Sequence, residues 1–382
     1  MSATVAVTGD LLAWASERSG LPAEDLARKF PKLSEWVSGT THPTLKQLER
    51  FAKTTHTPFG YLFLPEPPDE PLPVQDFRTR GGRAVQHASP DLLDTIYACE
   101  ARQEWYRDFA VIYGEDEVEI VGSLTIDVDP AEAGARLRET LAYQVGSRGP
   151  SWSEAFRRLS EHAEDLGILV MVSGIVGSNT HRPLDPDEFG GFALVDRLAP
   201  VVFVNGADSK AAQIFTLAHE LAHVWLGGSA LDDADPTSIG TQAAEQWCNA
   251  VAGELLVPAS SLTQRDLGAL DSAELDAFAA EFRVSTLVVL RRLLDLGSIG
   301  RAFYWSRYEA ERARLADLRL ASSRGGGGNF YNTQPVRTSK RFTRALIADT
   351  LEGRTLYRDA FRMLGFKKEA AFEELARRMG VA

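Results

Sequence analysis

The sequence predicts an α+β protein whose middle region holds a small sheet and whose two ends are helical. Three observations support this prediction. Residues 1–64 contain a series of short helical patterns, residues 90–300 contain segments rich in Val, Ile and Phe between longer helices, and residues 301–382 form a basic helical pattern. A chain of 382 residues is long enough for two or three such domains.

The N-terminal region contains start and stop signals for four helices. Thr8 can cap the first helix, Pro22 lies in the first turn of the second, and Gly39 ends the third. Thr44 can cap the fourth, "LKQLERFAKT". We therefore predict an all-α domain over residues 1–64.

A proline-rich stretch, "PEPPDEPLPVQD", follows this domain. Its prolines cannot donate backbone hydrogen bonds, so we predict an extended linker over residues 65–89. In the middle region, "ILVMVSGIV", "GGFALVD" and "PVVFVN" have the composition of strands. Asp208 can cap the helix that follows them, and this helix ends at Gly227 and Gly228.

Composition favours a cytoplasmic protein. No apolar run is long enough to span a membrane, and the N-terminus lacks the basic and apolar regions of a secretion signal. Cys99 and Cys248 are therefore predicted to be free thiols in a reducing compartment.

The net charge of −12 is unevenly distributed. Residues 1–64 carry +1, residues 65–300 carry −21 and residues 301–382 carry +8. Such asymmetry indicates different partners for different parts of the chain. The basic tail, in which "DAFRMLGFKKEAAFEELA" has the spacing of a small helix-turn-helix, fits contact with nucleic acid or with an acidic partner. It fits a solvated pair of amphipathic helices equally well.

Two of the seven histidines stand in "FTLAHELAHVWLGG". Positions i and i+4 of a helix lie on one face, so His219 and His223 can direct their imidazoles at one metal ion. Glu220 can then reach a water on that ion and accept its proton. The pattern predicts a zinc site with two protein ligands and a general base. The alternative is a structural histidine pair on one helix face.

A catalytic zinc site needs a third protein ligand, and no histidine follows His223. Glu245 lies at the start of the next predicted helix and is favoured. Glu254, nine residues later, is expected to face a similar but lower part of that helix, and Cys248 is a further candidate. The remaining candidates lie in the preceding loop: Asp232, Asp233 and Asp235.

"FTLAHELAH", followed by "EQWCNAVAGELLVP", resembles the ImmA/IrrE family of intracellular metallopeptidases. Three further stretches extend the resemblance over most of the chain: residues 71–79, 179–206 and 326–334. The resemblance implies a gluzincin-like domain in which the two histidines and a downstream glutamate hold zinc. The family pattern Glu-x-Glu-Ala-Asn corresponds here to Glu245, Trp247, Cys248 and Asn249, so Trp replaces the second glutamate.

Residues 11–64 resemble a lambda-repressor-like helix-turn-helix domain, most closely in "LSEWVSGTTHPTLKQLERFA". In such domains the third helix enters the major groove, which would place Lys32, Ser34 and Glu35 at base edges. The segment before that helix is short, and threonines replace the usual basic pair after it, so phosphate contacts are few. The alternative is a helical module for packing or partner recognition.

The residues and the resemblance together predict a cytoplasmic zinc-dependent endopeptidase. Zn2+ is assigned to the two histidines and Glu245, and Glu220 is assigned as the general base. Three residues are unranked candidates for stabilising the oxyanion: His181, Tyr304 and Tyr331. The family's best-known role implies a regulatory protein as substrate, such as a helix-turn-helix repressor. The rival interpretation is a DNA-binding regulator or antitoxin, which would use the peptidase fold for protein interaction and contact DNA through residues 1–64 or the tail.

Overall fold

A computed structural model describes residues 4–70, 88–227, 239–263, 270–322 and 330–381. Within these ranges the chain forms two compact units, the first ending at Tyr97 and the second beginning at Ala98. No helix in the described ranges is long and apolar enough to cross a membrane. Most of the predicted linker lies outside the described residues.

The first unit is all-α. It contains α1 (Gly9–Arg18), α2 (Ala23–Lys29), α3 (Leu33–Val37), α4 (Leu45–Thr54), a 3-10 turn (Phe59–Phe63) and the start of α5 (Pro90–Tyr113). The Thr44 hydroxyl caps α4 by accepting from the backbone N–H of Gln47, whose side chain accepts from the Thr44 N–H in return. Thr8 precedes α1 but forms no side-chain cap hydrogen bond. The core of this unit is built from apolar side chains of all four helices: Leu12, Ala15, Leu26, Phe30, Trp36, Leu48, Phe51 and Ala52.

The second unit combines a small sheet with many helices. Its elements after α5 are α6 (Pro130–Thr140), α7 (Trp152–Asp165), β1 (Leu169–Ser173), β2 (Gly191–Leu194), β3 (Val201–Asn205), α8 (Lys210–Leu226), α9 (Ile239–Leu256), α10 (Ala259–Leu262), α11 (Ser272–Phe282), α12 (Thr286–Asp295), α13 (Arg301–Ser322), α14 (Phe330–Arg337), α15 (Lys340–Leu351), α16 (Tyr357–Leu364) and α17 (Glu369–Met379). A 3-10 turn, Val145–Ser147, precedes α7. The predicted α+β class is confirmed, although the sequence patterns do not predict α6, α10, α11 or α12.

The described sheet has the strand order β1-β3-β2. Strand β1 runs parallel to β3, with Leu169 opposite Val201, and β2 runs antiparallel to β3, with Phe192 opposite Phe203. Every residue of β1 and β3 is buried, whereas burial alternates along β2. Helices α7, α14 and α15 contact β1, and α8 contacts β2 and β3. The sheet therefore packs against α8, the helix that carries the His-Glu-x-x-His motif.

Candidate metal centre

The motif lies on α8, and two residues define the ends of this helix. The Ser209 hydroxyl accepts a hydrogen bond from the Ala212 N–H at 3.3 Å, and Gly227 ends the helix with a left-handed φ of 69°. The prediction of Asp208 as the cap was wrong by one residue: its carboxylate accepts from the Ser209 N–H at 2.7 Å. Ser209 has the extended backbone of an N-cap residue, and its short hydroxyl reaches the third N–H of the helix.

The two histidines of the motif face one another from successive turns of α8. Their Nε2 atoms lie 3.1 Å apart. Glu245, in the second turn of α9, places Oε1 at 3.0 Å from His223 Nε2 and Oε2 at 3.6 Å from His219 Nε2. The side chains of His219, His223 and Glu245 are 14%, 7% and 15% exposed, so solvent reaches the cluster only narrowly. In the described part of the chain, this is the one group of three potential metal ligands with mutually close donor atoms.

The charge of Glu245 is set by its histidine neighbours. Burial alone would raise the pKa of this carboxyl. Hydrogen bonds and electrostatic attraction from His219 and His223 outweigh burial and hold the pKa of Glu245 well below its usual range. The carboxylate is therefore ionised at neutral pH, which is the form that binds a metal cation.

The three donors fit a zinc ion. Zinc bonds to nitrogen and oxygen are about 2.0–2.1 Å long, so a tetrahedral site sets its donors roughly 3.3 Å apart. The separations here are 3.0, 3.1 and 3.6 Å. Two imidazoles and one carboxylate also form a ligand set used by catalytic zinc, which leaves a fourth position for water or substrate.

Glu220 lies between α8 and the edge strand β2 and is 9% exposed. A Cβ atom at Gly191 would lie 3.5 Å from Glu220 Cγ and 2.5 Å from Thr216 Cγ2. At Gly190 a Cβ would lie 3.0 Å from the Thr216 hydroxyl. The glycine pair thus allows β2 to approach α8 closely. This role was not predicted from the sequence, although a glycine pair at the start of a strand-like run is a signal of close backbone approach.

Glu254 belongs to a different part of α9. Its carboxylate accepts hydrogen bonds from Arg292 and, at 3.5 Å, from Arg138. The expectation that Glu254 would face the same way as Glu245 was wrong. Nine residues at about 100° each amount to two and a half turns, so the two carboxylates lie on opposite sides of α9. Arg138 and Arg292 bind backbone carbonyls at the C-terminus of α9 as well, so this group stabilises the helix end.

Among the described residues, the remaining candidate ligand does not join the cluster. Cys248 is completely buried in the apolar core. Asn249 donates to the backbone carbonyl of Glu245 at 2.8 Å. Trp247, where the family pattern has glutamate, is buried, and its indole donates to the Val128 carbonyl at 2.8 Å. The three loop aspartates lie outside the described residues: Asp232, Asp233 and Asp235.

Two of the three oxyanion candidates, His181 and Tyr304, have described side chains. His181 is exposed, and its backbone N–H donates to Asn179 Oδ1 at 3.0 Å. Tyr304 is buried in the core beside Tyr308, and burial raises its pKa. The side chain of Tyr331 lies outside the described residues.

Of the residues predicted to contact DNA, Lys32 directly precedes α3, and Ser34 and Glu35 lie on this helix of five residues. Lys32 and Ser34 are exposed, whereas the Glu35 carboxylate accepts a hydrogen bond from the Thr41 hydroxyl at 3.0 Å. A groove of about 380 Å³ adjoins them and has a mainly apolar lining: Ala27, Phe30, Pro31, Leu33, Ser34, Val37 and Ser38. This surface offers little positive charge for phosphate contacts.

Some basic residues of the tail form ion pairs with other parts of the chain, and others are exposed to solvent. Lys340 pairs with Glu161 at 2.8 Å, and Arg341 pairs with Glu115 at 3.1 Å. Part of the tail's positive charge is thus compensated by the acidic middle of the chain. Four basic side chains on and after α16 are exposed: Arg358, Arg362, Lys367 and Lys368.

Two segments match known family models. Residues 163–294, about a third of the chain, match peptidase family M78, described as the IrrE N-terminal-like domain. Residues 338–378 match a domain of unknown function, DUF8813. Comparison with curated proteins and with solved structures gave no match. The first match contains the His-Glu-x-x-His motif and Glu245, and it supports the resemblance to the ImmA/IrrE family and a metallopeptidase fold for this segment. Neither match extends into residues 1–64.

Proposed function

We propose that this protein is a zinc-dependent endopeptidase. The observation that carries the proposal is the group of donor atoms from His219, His223 and Glu245, which lie within 4.8 Å of one another. The peptidase-family match over residues 163–294 supports the same conclusion independently. A structural histidine pair would need neither the third donor nor the carboxylate that follows the first histidine.

Each residue has a distinct proposed role. His219, His223 and Glu245 would hold the ion, which when bound polarises a carbonyl and lowers the pKa of a coordinated water. Glu220 would accept the proton of the attacking water on its carboxylate and return it to the leaving amine. Its burial against β2 keeps bulk water from competing for this proton.

An extended polypeptide is the substrate class that fits β2. In the described part of the chain, β2 (Gly191–Leu194) pairs only with β3, and it lies against α8 close to Glu220. A peptide that added to its other edge would gain main-chain hydrogen bonds whatever its side chains. From the family resemblance, we propose that the natural substrate is a regulatory protein such as a helix-turn-helix repressor.

Metal content and cleavage test this proposal together. The purified protein should contain about one zinc per chain, and His223→Ala should lose it. Glu220→Gln should keep the metal, because it removes only the base. It should slow the cleavage of casein and of a peptide library, both labelled with quenched fluorophores, by roughly 10²–10⁴-fold. Equal zinc content in wild type and His223→Ala would refute the site.

A DNA-binding regulator is the second candidate function. The observation that favours it is the exposed basic set on and after α16, which includes Arg358 and Arg362 with side chains 82% and 74% exposed. Exposed arginines on α16, although they lie 3.4 Å from the Asp359 carboxylate, and exposed lysines at the turn after it suit phosphate contacts. This candidate gives no role to Glu220, and we therefore place it second.

A further inference from the structure

A segment distant in sequence contacts the end of α8. We call residues 122–128 the bridging segment. Gly122 donates its backbone N–H to the Val224 carbonyl at 3.2 Å, and Leu124 donates to the Trp225 carbonyl at 3.0 Å. Both carbonyls belong to the two residues that directly follow the second histidine of the motif. The bridging segment is thus attached to α8 beside a candidate metal ligand.

The other end of the bridging segment is attached to α9. The Val128 carbonyl accepts a hydrogen bond from Trp247 Nε1 at 2.8 Å. Trp247 is 5% exposed and lies two residues after Glu245 on the same helix. The segment therefore connects the two ligand-bearing helices, each close to its ligands.

Packing fixes the bridging segment in place. The backbones of Gly122 and Gly227 pass so closely that a Cβ at Gly227 would lie 2.5 Å from Gly122 Cα. Leu124 is 3% exposed and belongs to the main core, and Val128 packs against that core. The three hydrogen bonds and this packing together couple the position of α8 to that of α9.

We infer that Trp247 is a positioning residue for the metal centre. Through the Val128 carbonyl, its indole N–H sets the position of Glu245 relative to His219 and His223. An indole N–H can only donate a hydrogen bond, and the Val128 carbonyl is its acceptor here. The inference rests on the proposed function, because it concerns the same zinc site.

The reason that one hydrogen bond matters is geometric. Donor atoms must stay within a few tenths of an ångström of their metal positions, and groups that orient ligands change metal affinity by about 10–100-fold when they are removed. Removing the indole donor also leaves the partly buried Val128 carbonyl without this partner and removes one attachment of the bridging segment to α9.

The test compares two tryptophans with similar bonds. Trp152 donates its indole N–H to the Val284 carbonyl at 3.1 Å in the same unit, so Trp152→Phe removes an equivalent hydrogen bond that does not join α8 to α9. Zinc affinity would be measured by competition with a chromophoric chelator. We expect Trp247→Phe to raise the zinc Kd by about tenfold or more, with Trp152→Phe close to wild type. Co²⁺ in place of zinc should give altered visible bands only in Trp247→Phe.

A double-mutant comparison tests whether Trp247 acts through Glu245. In a Glu245→Gln background, Trp247→Phe should add little further loss of affinity, because the ligand that it positions is already impaired. Gly122→Ala provides a second route should Trp247→Phe not fold. It strains the other end of the bridging segment, where φ is +68°, and should also weaken zinc binding.

The outcomes separate this inference from the proposed function. A wild-type protein that binds no zinc would refute both. The positioning role alone would be refuted if Trp247→Phe and Gly122→Ala both kept the zinc affinity and the Co²⁺ spectrum of the wild type. It would also be refuted if Trp247→Phe lost as much zinc affinity in the Glu245→Gln background as it does alone.

Discussion

The carboxylate of Glu254 accepts a hydrogen bond from Arg292 on the side of α9 that faces away from Glu245. One helix thus carries two carboxylates with different partners: histidines for Glu245 and arginines for Glu254. Both were candidate ligands by sequence, and they can be distinguished by experiment.

We predict opposite effects for the two alanine variants. Glu254→Ala should leave zinc stoichiometry unchanged but lower the free energy of unfolding by about 3–5 kcal/mol, because Arg292 would stay buried and Arg138 partly buried without their counter-charge. Glu245→Ala should lose most of the zinc affinity with a smaller effect on the metal-free protein. Elemental analysis and urea unfolding of both variants make the comparison. Loss of zinc in Glu254→Ala at retained fold would contradict our choice of third ligand.

Because the backbones of Gly227 and Gly122 pass so closely, we predict that adding one methyl group at Gly227 strongly destabilises the protein. Gly227→Ala places a Cβ 2.5 Å from Gly122 Cα at a φ of +69° and should cost about 2–4 kcal/mol of stability. Gly253→Ala is the matched control, since its Cβ would meet only the Arg292 side chain at 3.7 Å within α9. That change should be neutral or stabilising by up to about 1 kcal/mol, because alanine favours the helix. Similar melting temperatures for the two variants would argue against the close crossing.

Alkaline pH should destabilise the protein through Cys99. Burial raises the pKa of this thiol from 9.0 to about 11. Between these values the folded state keeps a proton that the unfolded state releases, so the free energy of unfolding falls as pH rises, by at most roughly 3 kcal/mol. Cys99→Ala should make this fall smaller between pH 9 and pH 11, and the remainder comes from Tyr106 and Tyr143, whose pKa burial raises from 10.0 to about 12. Urea unfolding at several pH values would show it, and an unchanged slope in the variant would exclude Cys99 as the cause.

Any salt-sensitive DNA affinity should belong more to the tail than to the N-terminal unit. Replacing Arg358, Arg362, Lys367 and Lys368 by Gln should reduce the slope of log affinity against log salt by about 0.9 for each phosphate that the variant no longer neutralises. Replacing Lys29 and Lys32 by Gln should change it less. Substitution is preferable to deletion of the tail, because Phe342 and Leu346 are completely buried. Fluorescence anisotropy at two salt concentrations measures the slopes, and equal slopes for wild type and the tail variant would leave the tail without a role in nucleic-acid binding.

Local signals in the sequence determined much of the fold. His219 and His223 lie on the same face of the helix because residues four positions apart are one turn apart in any α-helix. The composition of β1 and β3 predicted strands, and Thr44 predicted the start of α4 through a cap made within four residues. Each of these features depends on neighbours in sequence, so the sequence alone contains the relevant geometry.

Tertiary structure decided which side chains of different elements contact one another. The positions of Arg138 and Arg292 give Glu254 its partners, while packing of α8 on α9 brings Glu245 to the histidines. The bond from Trp247 to Val128 joins residues more than a hundred positions apart and leaves no pattern in either local stretch. Such contacts depend on how whole helices pack, and packing is fixed by the shapes of many side chains together rather than by the spacing of a few residues.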